Sequence, residues 1–171
     1  MPDHQLHERF ISLLEDHIGI ILKISKAYTN TVQDREDLIN DIACEMWKAF
    51  PSFKGRSKVS TWLYRIALNT AMNYKRTTRK KRNFIQSAIE IYTNEPATEA
   101  DPDPRIELLY DWIAELDEFN KALILLYLDG YKHDEIAEIT GISKTNVGTR
   151  ISRIKEQLRN MAIAKQISYG T

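Results

Sequence analysis

Apolar residues recur at helical spacing in one stretch after another along this chain, so the expected fold class is all-α. Phe10, Leu14, Ile18, Ile21 and Tyr28 form one stripe and predict a helix over about 5–28. Asn30 to Gln33 reads as a break. Asp34 is the expected N-cap of a second helix, with Glu36 and Asp37 in a first turn where the helix dipole favours acids. That helix runs to about Phe50 and is closed by Pro51, which cannot donate to the helical ladder. Leu38, Ile39, Ile42, Ala43, Met46, Ala49 and Phe50 share its apolar face. Asp37, Asn40, Asp41, Cys44 and Lys48 lie opposite, with Trp47 at the edge. Ser52 to Lys58 is a loop, followed by a third helix over about 59–79. Val59, Trp62, Leu63, Ile66, Ala67 and Thr70 make one side of it, Tyr64, Leu68 and Ala71 another, with Arg65, Asn69 and Arg76 in a polar gap between. Three helices sharing one core give a first domain over residues 1–82.

Over residues 83–103 the periodicity fades while acids and prolines accumulate, so this stretch reads as a flexible acidic linker with a short helix near 85–91. A second domain covers residues 104–171 and opens at Pro104, a residue suited to a first helical turn. Ile106, Leu109, Ile113 and Leu116 predict one helix. Asp117 caps the next, with Phe119, Leu123, Leu126 and Tyr127 as its core and Gly130 as its stop. His133-Asp134-Glu135 opens a short helix with Ile136, Ala137 and Ile139, and Gly141-Ile142-Ser143 is a tight turn. A last helix runs from Lys144 to about Met161, buried along Val147, Ile151, Ile154 and Leu158. Short helix, glycine turn and longer helix are the parts of a helix-turn-helix. Thr145, Asn146, Thr149 and Arg153 then point outward with Ser152 beside them, a set of groups suited to base edges in a major groove. Lys132, Lys144 and Lys155 are placed for phosphates. Arg150 lies nearer the core stripe and fits either a phosphate contact or an ion pair with Glu135 or Glu138.

Charge sharpens this picture. The chain of 171 residues is neutral overall, yet residues 1–82 carry 15 basic and 9 acidic groups, residues 83–131 carry 2 and 11, and residues 132–171 carry 7 and 4. Two basic ends around an acidic middle suit two contacts with a polyanion and a tether that avoids it. No acid falls between Glu45 and Glu90, a window with eleven basic side chains and the rings of Trp47, Phe50, Phe53, Trp62, Tyr64, Tyr74 and Phe84. Cations neutralise phosphates, and flat rings give unpaired bases a surface to stack on.

Other chemistry finds little support. The single cysteine, Cys44, cannot form an internal disulfide and points to a reducing, cytoplasmic setting. Acids at Asp3, Glu8, Glu15 and Asp16 do not suit a signal peptide, and no apolar run is long enough to span a bilayer. His133, His4, His7 and Cys44 match no closed zinc pattern, and helix capping accounts for His133-Asp134-Glu135. With no phosphate-binding loop or dinucleotide fingerprint, the expectation is no metal, no cofactor and no catalytic residue.

Three runs in order resemble a known family. Glu36-Asp37-Leu38-Ile39-Asn40-Asp41, ending in Trp47, resembles the polymerase-binding helix of sigma region 2. Ser60-Thr61-Trp62-Leu63-Tyr64-Arg65-Ile66-Ala67-Leu68-Asn69 resembles that region's DNA-melting helix. Asp134-Glu135-Ile136-Ala137 through Gly141-Ile142-Ser143 to Val147-Gly148-Thr149-Arg150-Ile151 resembles sigma region 4. Two such domains joined by a short linker are similar to the extracytoplasmic-function (ECF) sigma factors of bacteria.

The resemblance implies an alternative sigma factor that brings core RNA polymerase to promoters and starts DNA melting. Asp37, Asn40, Asp41 and Trp47 would meet the clamp helices of the polymerase β′ subunit. Lys58, Ser60, Trp62, Arg65, Asn69, Asn73 and Arg76 would open the −10 element and hold the non-template strand. Lys144, Thr145, Asn146, Thr149, Arg150 and Arg153 would read the −35 element as duplex, in a domain that also touches the β flap. The acidic linker would lie in the nascent-RNA channel and imitate a transcript. An anti-sigma factor is a further partner class implied by the family; neither membrane insertion nor an obligate homo-oligomer is expected. Two positions depart from the family's pattern: Gly148, where a basic residue is common, and Ala43, where a larger apolar residue is common. Two rivals remain at this point: a polymerase-independent helix-turn-helix regulator, which needs a dimer surface that no spare apolar helix supplies, and a nucleic-acid enzyme, which needs carboxylates that the acid-free window lacks.

Overall fold

The computed structural model describes residues 2–74 and 103–169 and divides the chain into two compact units, residues 1–102 and 103–171. Lys75, Arg76, the basic run up to Arg82, the expected short helix over 85–91 and nearly all of the expected linker lie outside the described residues.

In the first unit, α1 (Pro2–Tyr28), α2 (Val32–Ala49) and α3 (Val59–Met72) each pack against the other two. The core draws Phe10, Leu14, Ile21, Ile24 and Ala27 from α1, and Leu38, Ile39, Ile42, Ala43 and Met46 from α2. Leu63, Tyr64, Ala67, Leu68 and Ala71 complete it from α3. Ile18 and Tyr28 are only half-buried, while Ser25 and Thr29 are buried. Those hydroxyls bond preceding carbonyls of their own helix, Ser25 Oγ to Leu22 O at 2.9 Å and Thr29 Oγ1 to Ser25 O at 2.7 Å. A polar group satisfied this way can enter an apolar interface at little cost, which a hydrophobic pattern does not register.

Two boundaries differ from the expected ones. The N-cap of α2 is Thr31, with extended backbone and Oγ1 accepting from Asp34 N at 3.1 Å; Asp34 instead sits three residues on and accepts the Thr31 hydroxyl at 2.7 Å. At its other end α2 stops at Ala49, and Pro51 sits inside a 3-10 turn, Phe50–Ser52, that tucks the Phe50 ring under the bundle. α3 ends at Met72 rather than near Arg79: Asn73 donates its side-chain amide back to Asn69 O at 2.8 Å and the backbone leaves helical geometry.

The second unit holds α4 (Pro104–Ala114), α5 (Glu118–Leu128), α6 (His133–Thr140) and α7 (Lys144–Tyr169). Asp103 caps α4 through Arg105 N at 3.0 Å, and the Arg105 guanidinium hydrogen bond holds this carboxyl below its ordinary range. α5 is buried continuously from Lys121 to Leu126 because α4, α6 and α7 all pack on it. Lys121 joins that run by laying its stem on the core while Nζ reaches Glu118 Oε1 at 3.1 Å. On α4 the expected stripe is thinner than its pattern implies: Ile113 is buried, Leu109 half-buried and Ile106 exposed. Gly141 turns the chain between α6 and α7 at φ 76°, a conformation that would strain a side chain. α7 continues to Tyr169, past the Met161 expected from its stripe.

Candidate nucleic-acid interfaces

Three surfaces carry the residues singled out from sequence. The first is the outer face of α2. With Leu38, Ile39, Ile42, Ala43 and Met46 turned inward, Asp37 is exposed and Asn40 and Asp41 are half-buried on the outward side. Lys48 stands beside them, ion-paired with Glu45 at 2.6 Å, and that hydrogen bond raises its pKa and favours the charged ammonium. Ala43 is wholly buried, which makes its small side chain a matter of helix packing. Trp47 is half-buried, its ring 5.1 Å from Phe10 and 5.7 Å edge-on from His7. Its indole therefore holds α1 to α2 as well as reaching the surface, a dual position that the wheel alone showed only as an edge.

The second surface surrounds the loop before α3. A groove of about 300 Å3 is lined by Phe53, Trp62, Lys54, Arg56, Ser57 and Arg65. The Phe53 and Trp62 rings lie 4.7 Å apart at 33°, and Trp62 also leans on Phe50 at 6.4 Å. Helical periodicity places Trp62 with the core residues, yet it is half-buried, because the 3-10 turn swings Phe53 alongside and leaves one edge of the indole in the groove. Lys58 and Asn69 are exposed, Ser60 and Arg65 half-buried, and Asn73 is exposed with its amide donated to Asn69 O. Arg76 lies outside the described residues. Phe53, Lys54 and Arg56 join this site although sequence reasoning did not single them out individually; their signal was membership of the acid-free window.

The third surface is α7. Val147, Ile151 and Ile154 are buried, and Lys144, Thr145, Asn146, Thr149 and Arg153 are all exposed along the opposite side. Ser143 Oγ accepts from Asn146 N at 3.2 Å and so caps the helix start. Arg150 takes neither Glu135 nor Glu138. Its Nη1 donates to Asn120 Oδ1 at 3.4 Å, and its guanidinium lies 5.2 Å from the Phe119 ring centre, both at the start of α5. Glu135 instead accepts from Lys132 N at 2.9 Å, closing the start of α6 as expected of a cap. Gly148 faces the His133 ring, and a Cβ there would sit 3.4 Å from Nδ1, in ordinary contact. Asn120 and Gln157 line a second groove of about 350 Å3 beside Arg150 and Arg153. Neither carries a local sequence signal, since Asn120 meets α7 only through the packing of helices far apart in the chain. Lys155 places Nζ 5.2 Å from the Tyr127 ring centre on the opposite flank.

Both units also match known proteins. The family model for Sigma-70 region 2 matches residues 13–81, and that for Sigma-70 region 4 matches residues 106–158. The ECF RNA polymerase sigma-E factor of Haemophilus influenzae is 30% identical over 139 residues, covering 74% of this chain and 74% of that protein. The RNA polymerase sigma factor YlaC of Bacillus subtilis is 30% identical over 149 residues, covering 81% and 83%. Among solved structures, CnrH in complex with the cytosolic domain of CnrY shares the fold with a TM-score of 0.65 at 21% identity, over 92% of this chain and 90% of that one. The sigma factor RpoE of Bartonella quintana, in complex with the anti-sigma factor NepR, does so with a TM-score of 0.61 at 17% identity, over 95% and 98%.

Proposed function

Because the chain belongs to the ECF RNA polymerase sigma factors, we propose that its three surfaces divide the work of promoter opening among polymerase docking, single-strand capture and duplex reading. The outer face of α2, through Asp37, Asn40, Asp41 and the exposed part of Trp47, docks on the clamp helices of the β′ subunit. α3 and the loop before it, with Lys58, Ser60, Trp62, Arg65, Asn69, Asn73 and Arg76, open the −10 element and hold its non-template strand. The exposed side of α7, with Lys144, Thr145, Asn146, Thr149, Arg150 and Arg153, lies in the major groove of the −35 element, and its domain meets the β flap.

The observation that carries this reading is the α3 groove, where two rings stand among three cations. Taking a base out of the duplex costs a few kcal/mol, and stacking it on an aromatic ring returns about 1–3 kcal/mol per base. Melting is therefore near balance on this surface, and the polymerase tips it. The chain then needs no catalytic residue of its own, since bond-making belongs to the polymerase. No helix among the described residues is long and apolar enough to cross a membrane. One structural relative was solved with the cytosolic domain of CnrY and another with the anti-sigma factor NepR, and a partner of the latter class would compete with polymerase for this chain.

The test is transcription in vitro. The full chain added to core polymerase should give a transcript with a defined start on a genomic fragment, beginning with its own upstream region. Absence of a transcript from every genomic fragment over a range of salt concentrations would overturn the reading. A polymerase-independent regulator would instead retain its DNA site and show no pull-down with core polymerase.

A further inference from the structure

We infer that Asn120 is a positioning residue for DNA contact: it aims the Arg150 guanidinium at a backbone phosphate on one flank of α7 without cancelling its charge. The inference rests on the proposed placement of α7 in a major groove.

The geometry begins at Asp117. One carboxylate oxygen accepts Asn120 N at 2.9 Å and caps α5, while the other accepts Asn120 Nδ2 at 2.5 Å. An ionised carboxylate only accepts, so it takes the NH2 end of the amide and turns Oδ1 the other way. That oxygen receives Arg150 Nη1 at 3.4 Å, and the Phe119 ring supports the guanidinium at 5.2 Å. Among the described residues, then, Arg150 is held by an amide and a ring, not by a carboxylate. The difference is electrostatic. A carboxylate partner would place the cation and neutralise it, whereas an amide places it and leaves the full charge for another anion.

Arg150 is exposed, and it lies with Asn146 and Gln157 along one flank of α7, beside the groove of about 350 Å3. A helix seated in a major groove has phosphates of the two strands on its two sides. Lys155 occupies the opposite flank, over Tyr127. The Asn120 side therefore faces one strand's phosphates with a cation whose direction is already set.

The experiment uses the full chain with core polymerase on a promoter fragment found by transcription in vitro. Retention is measured over a series of salt concentrations for the unmutated chain, Asn120→Ala, Arg150→Ala and the double variant. Loss of one phosphate contact should flatten the slope of log affinity against log salt by about 0.9 in Arg150→Ala. Asn120→Ala should bind severalfold more weakly, and the double variant no more weakly than Arg150→Ala, because Asn120 acts only through that guanidinium. Losses that multiply in the double variant, or an unchanged slope in Arg150→Ala, overturn the inference. Should Asn120→Ala unfold the domain, Asp117→Ser keeps a capping oxygen for Asn120 N but gives up the second oxygen that holds the amide. It should weaken retention in the same direction, and binding equal to the unmutated chain would count against the proposal. If the unmutated chain is retained on no promoter, the functional reading and this inference fall together; retention with multiplying losses removes the inference alone.

Discussion

The groove before α3 and the outer side of α7 are both basic, yet the proposed function assigns them different states of the same polymer. The groove has aromatic walls, Phe53 and Trp62, and its cations stand around the rings. The α7 side has hydroxyls, an amide and guanidinium groups along its exposed face, with Val147, Ile151 and Ile154 buried behind them and Leu158, expected in the same stripe, half-buried. Stacking needs a base free of its neighbours, so rings select a melted strand. Hydrogen bonds to base edges need the pair intact in its groove, so short polar groups select duplex. Charge supplies affinity for both, and the shape and polarity of what stands beside the charge decide which form is held.

The strongest way to break this contrast is to remove the rings. The Phe53→Ala/Trp62→Ala double variant should lose about 1–3 kcal/mol of binding per stacked base on a fragment with a pre-opened −10 region. Its binding to a closed −35 duplex should not change. Equal losses on both templates, in a competition assay with a folded variant, would mean the rings only hold the domain together. Next in size is Arg153→Ala, expected to cost about 1–3 kcal/mol at one promoter position if this residue reads a base. A uniform loss across all single-base promoter variants would make Arg153 a phosphate contact and narrow the gap between the two surfaces. The smallest expected effect is Gly148→Ala. The added Cβ meets His133 at ordinary contact distance, so the helix should gain up to about 1 kcal/mol of stability, read from thermal unfolding. Its −35 affinity should stay as it was, separating the stability of α7 from its grip on DNA.

The two surfaces were not equally readable in the sequence. On α7 the inward stripe and the outward polar set follow from periodicity, because one long helix on one core has a single way to turn. The α3 groove was visible only as an acid-free window with rings in it. Trp62 sits at a core position by spacing, and its share in the groove depends on where Phe53 lands after the 3-10 turn that Pro51 permits. The same limit hid Thr31 behind Asp34 as a cap, since both residues suit the role and only backbone geometry chooses. It also hid Asn120, an ordinary polar residue of α5 until the packing of α5 on α7 brings it to Arg150.

What the chain determined by itself was the helices of the two described segments, most of their buried sides, the partition of charge and the order of three motifs, because each depends on residues near one another in sequence. What only the folded arrangement decided was which side chains meet across helices: Trp47 with Phe10, Phe53 with Trp62, Arg150 with Asn120. Local spacing sets the direction of a side chain from its own helix, but the partner it finds depends on how separate helices pack, and that is settled by the shape of the whole core.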